Sequence, residues 1–132
     1  MTVYEQIQNA IDYIESNLFK QLTCNEVAKN ANMSLRSFYN YFWAISGYRY
    51  KEYVKKRRLS EALLQLQVTE DKIIKIALQI GYESHEAFSR AFSNEFGLSP
   101  IRFRNSRQNL KRIEKIKIIE EMYMGIIVKE IP

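Results

Sequence analysis

Apolar residues recur three and four apart along this chain in a series of short blocks, most of them closed by a helix-stop signal. Ile7, Ile11, Ile14 and Leu18 share one face and predict a first helix over residues 4–18. Thr23 and Glu26 form a T-x-x-E capping box that opens a second helix, with Cys24, Val27, Ala28 and Ala31 on its buried side. After a turn at residues 30–33, Ser34 caps a third helix whose stripe is Phe38, Tyr41, Phe42 and Ile45, and Gly47 supplies a left-handed stop. A longer fourth helix follows over residues 50–66. Its apolar positions drift from Tyr50, Tyr53 and Val54 to Leu59, Ala62, Leu63 and Leu66, so its two ends should pack against different bodies.

The pattern then starts again. A fifth helix buries Ile73, Ile76, Ala77 and Ile80 and stops at Gly81. Ser84 caps a sixth with the stripe Phe88, Ala91, Phe92 and Phe96, ended by Gly97. Ser99 before Pro100 opens a short seventh helix through residue 107. The expected class is all-α with seven helices. Residues 110–122 are charged and weakly periodic and read as a linker or a further helix. Residues 124–131, M-G-I-I-V-K-E-I, are rich in β-branched side chains and read as a strand without a partner, the opening of a second domain.

The two halves repeat. Ser34, Phe38, Phe42 and Gly47 recur as Ser84, Phe88, Phe92 and Gly97, with Ala28 and Ala77 in corresponding places ahead of them. Each half is helix, tight turn, helix, the unit that enters a DNA groove. The stripes fix what must face outward: Arg36, Tyr39, Asn40 and Trp43 on the third helix, and Glu86, Ser89, Arg90 and Ser93 on the sixth, with His85 beside the cap. A recognition helix presents its N-terminal half to base edges. Arg90 suits guanine O6 and N7, Asn40 suits adenine N6 and N7, and Glu86 suits a cytosine amino group. Tyr39 and Ser89 suit bases or phosphates. The bland alternative, an ordinary solvated face, explains one such helix but not the repeat.

The fourth helix sets the expected geometry. Its residues, at ~1.5 Å each, make a rod of about 26 Å. Such a rod can set two recognition helices roughly one DNA turn, ~34 Å, apart, in successive major grooves. The reading faces differ, so the expected site is asymmetric. Lys51, Lys55, Lys56, Arg102 and Arg104 are candidate phosphate ligands, together with the amides of the helices that start at Ser34 and Ser84. A run of charge is also what a plain solvated face looks like.

Composition narrows the alternatives. A chain of 132 residues, 46% hydrophobic and 27% charged, buries a modest core in one or two small domains. The net charge of +5 and pI near 9.3 suit a polyanion. Four glycines and two prolines leave room for few loose turns, which favours helices. No apolar run reaches the roughly 20 residues of a membrane span, and no signal peptide is expected ahead of Tyr4. One cysteine, Cys24, excludes an internal disulfide and suits a reducing cytoplasm. One His and one Cys cannot build a His/Cys metal site, and neither a G-x-S-x-G nor a phosphate-cradling glycine loop is present. No cofactor, metal or enzymatic activity is therefore expected. Cys24 near a helix start could act as a redox sensor, but its place on the apolar stripe favours a structural role. The rival class is a helical protein–protein interaction adaptor, which would need neither matched polar faces nor a basic rod between them. RNA is disfavoured because an A-form major groove is too narrow for a helix.

The stretch I-A-L-Q-I-G-Y-E-S-H-E-A-F-S-R-A-F-S-N-E-F-G-L-S-P-I-R-F-R, residues 76–104, strongly resembles the signature of the AraC/XylS family of bacterial transcription regulators. The match extends upstream through L-T-C-N-E-V-A and S-L-R-S-F-Y-N-Y-F, and through Y-V-K-K-R-R-L-S-E-A in the linker. The resemblance covers residues 4–107. It implies a DNA-binding domain over residues 1–107, with a first unit at 4–47, a linker helix at 50–66 and a second unit at 69–107. It further implies promoter DNA as partner, activation through RNA polymerase, and a cytoplasmic, nucleoid-associated location in a bacterium. Arg36, Tyr39 and Asn40 look like the first base-reading set, and His85, Glu86, Ser89 and Arg90 the second. This chain departs from the family at Asn40, where Arg is common, and at Tyr50, where Pro is usual. Tyr41 and Trp43 are unusually large, and Trp43 is suited to pack on a sugar–phosphate rim. The tail, within residues 108–132, resembles the first strand of a gyrase-inhibitor-like effector-binding domain, through which a small-molecule effector would act. A simple frayed end is the alternative.

Overall fold

The computed structural model describes residues 1–106 and 108–119, and among these the chain is all-helical. The helices are α1 (Val3–Ser16), α2 (Cys24–Asn30), α3 (Leu35–Ser46), α4 (Tyr50–Val68), α5 (Ile73–Ile80), α6 (His85–Phe96) and α7 (Pro100–Ser106). This is the expected set of seven, with α1 ending two residues sooner and α4 two residues later than the apolar pattern implied. Residues 108–119 are neither helix nor strand. The expected strand at residues 124–131, and the effector-binding domain it would open, lie outside the described residues. The helices fall into two compact units. One takes residues 1–16, 22–51 and, among the described tail, 115–119; the other takes residues 17–21 and 52–114.

In the first unit α1, α2 and α3 pack on one another around Ile7, Ala10, Ile11, Ile14, Val27, Ala28, Ala31, Phe38, Phe42 and Ile45. Tyr50, the first residue of α4, sets its ring edge-on to Phe38 and Phe42 at 5.7 and 6.2 Å. Where the family resemblance leads one to expect Pro, an aromatic ring thus packs on this core. Tyr41, placed in the buried stripe by spacing, is instead 46% exposed. The stripe narrows to Phe38, Phe42 and Ile45, and at ~100° per residue Tyr41 falls about 60° to one side of Phe38.

The second unit buries Leu59, Ala62, Leu63 and Leu66 of α4 against Ile76, Ala77 and Ile80 of α5, Phe88 and Phe92 of α6, and Phe103 of α7. Phe92 is the hub, with ring centroids 4.7 to 5.9 Å from Phe96, Phe88 and Phe103. The drift along α4 is thus real: Tyr50 serves one core, and Leu59 onward serves another.

The turn inside each helix pair is built the same way. The Met33 amide bonds back to the Ala28 carbonyl at 2.9 Å, and the Tyr82 amide bonds back to Ala77 at 3.0 Å. These six-residue closures need a left-handed residue, supplied by Asn32 (φ 56°) in one unit and Gly81 (φ 99°) in the other. The caps agree as well. Ser34 Oγ accepts from the Ser37 amide at 3.2 Å, and Ser84 Oγ accepts from Ala87 at 3.1 Å. Thr23 caps α2 through the Glu26 amide, and Ser99 takes the Arg102 amide ahead of α7. At the start of α5, Lys72 stands where a cap belongs and makes no side-chain bond to the helix. Ser84→Ala should therefore lower stability by ~1 kcal/mol, while Lys72→Ser should raise it by a similar or smaller amount. Urea unfolding of the two variants checks both signs.

Candidate nucleic-acid interface

The caps and the left-handed stops fix the rotational setting of α3 and α6, and with it the residues that face outward. On α3, Arg36, Tyr39, Asn40 and Trp43 are all exposed, with Trp43 at 57%. On α6, His85, Glu86 and Arg90 are exposed, while Ser89 and Ser93 are half-buried. The expected reading residues thus share an outward face on each helix, opposite Phe38 and Phe42 in one unit and Phe88 and Phe92 in the other. At ~100° per residue Arg36 and Trp43 differ by only about 20° around α3, as Glu86 and Ser93 do around α6. The first face is consequently bulky and cationic, and the second is small and mixed in charge.

Two side chains outside α3 shape its face. Arg49, in the turn before α4, lies over the Trp43 ring at 5.6 Å, a cation–π contact. Together with Tyr39, Asn40, Tyr50 and Lys51 these residues line a shallow cavity of about 320 Å³. Arg49 was invisible to periodicity, because it stands between helices. Its only sequence signal is a cation flanked by Tyr48 and Tyr50 just past the Gly47 stop. The Tyr39 hydroxyl is bonded to Cys24, and this bond, with burial and the Cys24 charge added, raises the phenol above its ordinary pKa. Burial raises the Cys24 thiol too, outweighing the opposing influence of Tyr39 and Lys51. Cys24 is therefore a half-buried, protonated thiol that orients Tyr39, which does not suit a redox sensor.

The candidate phosphate ligands separate into two groups. Lys51, Lys55 and Arg102 are exposed, and Ser34 and Ser84 stand at the starts of α3 and α6 with their amides. Lys56 and Arg104 are engaged inside the protein. Lys56 Nζ is 2.7 Å from Glu95 Oε1, an ion pair with both side chains largely covered. Arg104 donates to the carbonyls of Leu66, Asp71 and Thr69 at 3.2, 2.7 and 3.3 Å, sealing the end of α4 and the loop after it. Neighbours of Lys55 are similarly occupied: Arg58 donates to the carbonyls of Leu18 and Lys20, and Arg57 is buried. A basic run in sequence is thus mostly a set of structural staples, with Lys55 left at the surface.

Among the described residues no group of three or more His, Cys, Asp or Glu side chains could hold a metal ion. No helix among them is long and apolar enough to cross a membrane.

A family model described as a helix-turn-helix domain matches residues 27–106. The regulatory protein SoxS of Salmonella typhimurium is 32% identical over 105 residues, covering 80% of this chain and 98% of that protein. The HTH-type transcriptional activator RhaS of Mannheimia succiniciproducens is 32% identical over 100 residues, covering 76% of this chain but 37% of that protein. The chain thus spans well under half of RhaS and nearly all of SoxS. Among solved structures, a transcriptional regulator from Chromobacterium violaceum, described as of the type with AraC-type DNA-binding domains, superposes with a TM-score of 0.74 at 26% identity. That superposition covers 81% of this chain and 96% of that one.

Proposed function

Because this chain belongs to the AraC/XylS family of helix-turn-helix transcription regulators, a family of DNA-binding proteins, we propose a division of labour among its residues on promoter DNA. Recognition helices α3 and α6 each enter a major groove. Arg36, Tyr39 and Asn40 read bases from the first unit, and His85, Glu86, Ser89 and Arg90 from the second. Lys51, Lys55, Arg102 and the amides beginning at Ser34 and Ser84 hold phosphates. Trp43 and Arg49 pack on the sugar–phosphate rim beside the first helix. Lys56 and Arg104, expected among the phosphate ligands, act through Glu95 and through the carbonyls around the end of α4 instead.

The observation that carries this reading is the pair of outward polar faces set by equivalent caps and turns on α3 and α6. An interaction adaptor would not need them. The names of SoxS and RhaS support a regulator, and RhaS an activator, so activation through RNA polymerase is the sign we assign. The place of action is then the bacterial cytoplasm, on the nucleoid. A small-molecule effector would act through a C-terminal effector-binding domain of the kind that the sequence of residues 124–131 resembles.

One chain carries two different readers, so one protomer should occupy one site of about 20 base pairs without two-fold symmetry. Native mass spectrometry on selected DNA fragments tests this. Two protomers on every minimal site, or a palindromic consensus, would rule out the one-chain arrangement.

A further inference from the structure

Among the described residues two polar side chains are buried, and both lie on α4: Arg57 at 3% exposure and Ser60 at 2%. They stand one turn apart on one face, and both grip the same residue. The Ile113 amide donates to Ser60 Oγ at 2.9 Å, and Arg57 Nη1 donates to the Ile113 carbonyl at 2.7 Å. Glu61, next on that face, accepts from Arg57 Nη2 at 2.9 Å and lies 3.7 Å from Arg112 Nη1. Leu110 packs against the core of the same unit. Residues 110–113 are thus held by both main-chain groups of one residue, an ion pair and an apolar anchor, the means by which proteins recognise extended peptides.

The energetics point the same way. A buried guanidinium is destabilising unless acceptors surround it. Glu61 of the same helix takes Nη2, but the α4 carbonyls beside the guanidinium are occupied by the helix's own ladder, and Nη1 takes its acceptor from outside the helix. That acceptor is the Ile113 carbonyl.

We propose that Arg57, Ser60 and Glu61 form a receptor for extended main chain, that residues 110–114 of this chain are its ligand, and that this latch completes the second unit. The DNA-reading assignment neither requires nor uses it. The latch gives the chain beyond α7 a hold on α4: an event that draws residues 110–114 away uncovers Arg57 and loosens the helix that carries Lys51 and Lys55.

Hydrogen exchange and thermal unfolding of the full chain test this without DNA. Ile113→Pro removes the donor in a segment outside the helices, and should speed exchange over residues 57–64 and lower Tm by about 4–8 °C. Ser60→Ala leaves α4 intact and should speed exchange of the Ile113 amide about five-fold, the effect of one net hydrogen bond. Ile113→Ala keeps both main-chain bonds and should leave that amide protected. The proposal is overturned if the wild-type Ile113 amide exchanges like an unstructured peptide, or if Ile113→Pro leaves both α4 exchange and Tm unchanged. If Ile113→Pro does not fold, the Ile113 amide in Ser60→Ala decides: unchanged protection overturns the latch.

Discussion

Raising salt from about 50 to about 200 mM should weaken binding to duplex DNA roughly 500-fold. The figure follows from counting five exposed cations of the proposed interface, the groove-reading Arg36 and Arg90 together with Lys51, Lys55 and Arg102, and leaving out Arg49, which lies over Trp43. If each displaces one counterion, log affinity falls against log salt with a slope near about −4.5. Had Lys56 and Arg104 also been available, the slope would approach about −6.3 and the loss about 6,000-fold. The salt titration therefore measures more than electrostatics. A slope near the steeper value would mean that the Lys56–Glu95 pair and the Arg104 staple open on DNA. Affinity insensitive to salt would leave the basic surface without a role and favour the adaptor reading.

Arg90→Ala is expected to lower affinity for the preferred site by ~1–3 kcal/mol and to relax the choice at one base pair. Arg90 is exposed on the outward face of α6, in the same turn as Ser89 and one turn beyond Glu86. A guanidinium there can take guanine O6 and N7 together, a contact that distinguishes one base from another, as a phosphate contact does not. Lys55→Ala is the control, because a phosphate ligand should weaken all sequences by about the same factor and flatten the salt slope by about one unit. Competition binding against cognate and random duplexes separates the two. If Arg90→Ala depresses both equally, Arg90 is a phosphate ligand and the reading set of α6 must be redrawn around His85, Glu86 and Ser89.

Much of this molecule was determined by sequence alone, because its instructions are local. Helix starts follow from side chains that satisfy orphan amides two or three residues on, as Thr23, Ser34, Ser84 and Ser99 do. Helix ends follow from residues that tolerate a left-handed backbone, as Gly47, Gly81 and Gly97 do. Once both ends are set, the period of 3.6 fixes which side chains face out, so the outward faces of α3 and α6 were legible. The tertiary structure decided what long, flexible side chains do. Lys55, Lys56, Arg57 and Arg58 are alike in sequence. Their fates diverge because Glu95, the Ile113 carbonyl and the Leu18 carbonyl come within reach only after folding. Arg104 and Arg49 belong with them, the first spent on carbonyls around the end of α4 and the second laid over Trp43. Tyr41 and the docked residues 110–113 make the same point, since burial at the edge of a stripe, or in an aperiodic segment, depends on which neighbour arrives. Backbone geometry is set within a few residues, whereas the partner of a charge at the end of a four-carbon stem is chosen by the whole fold.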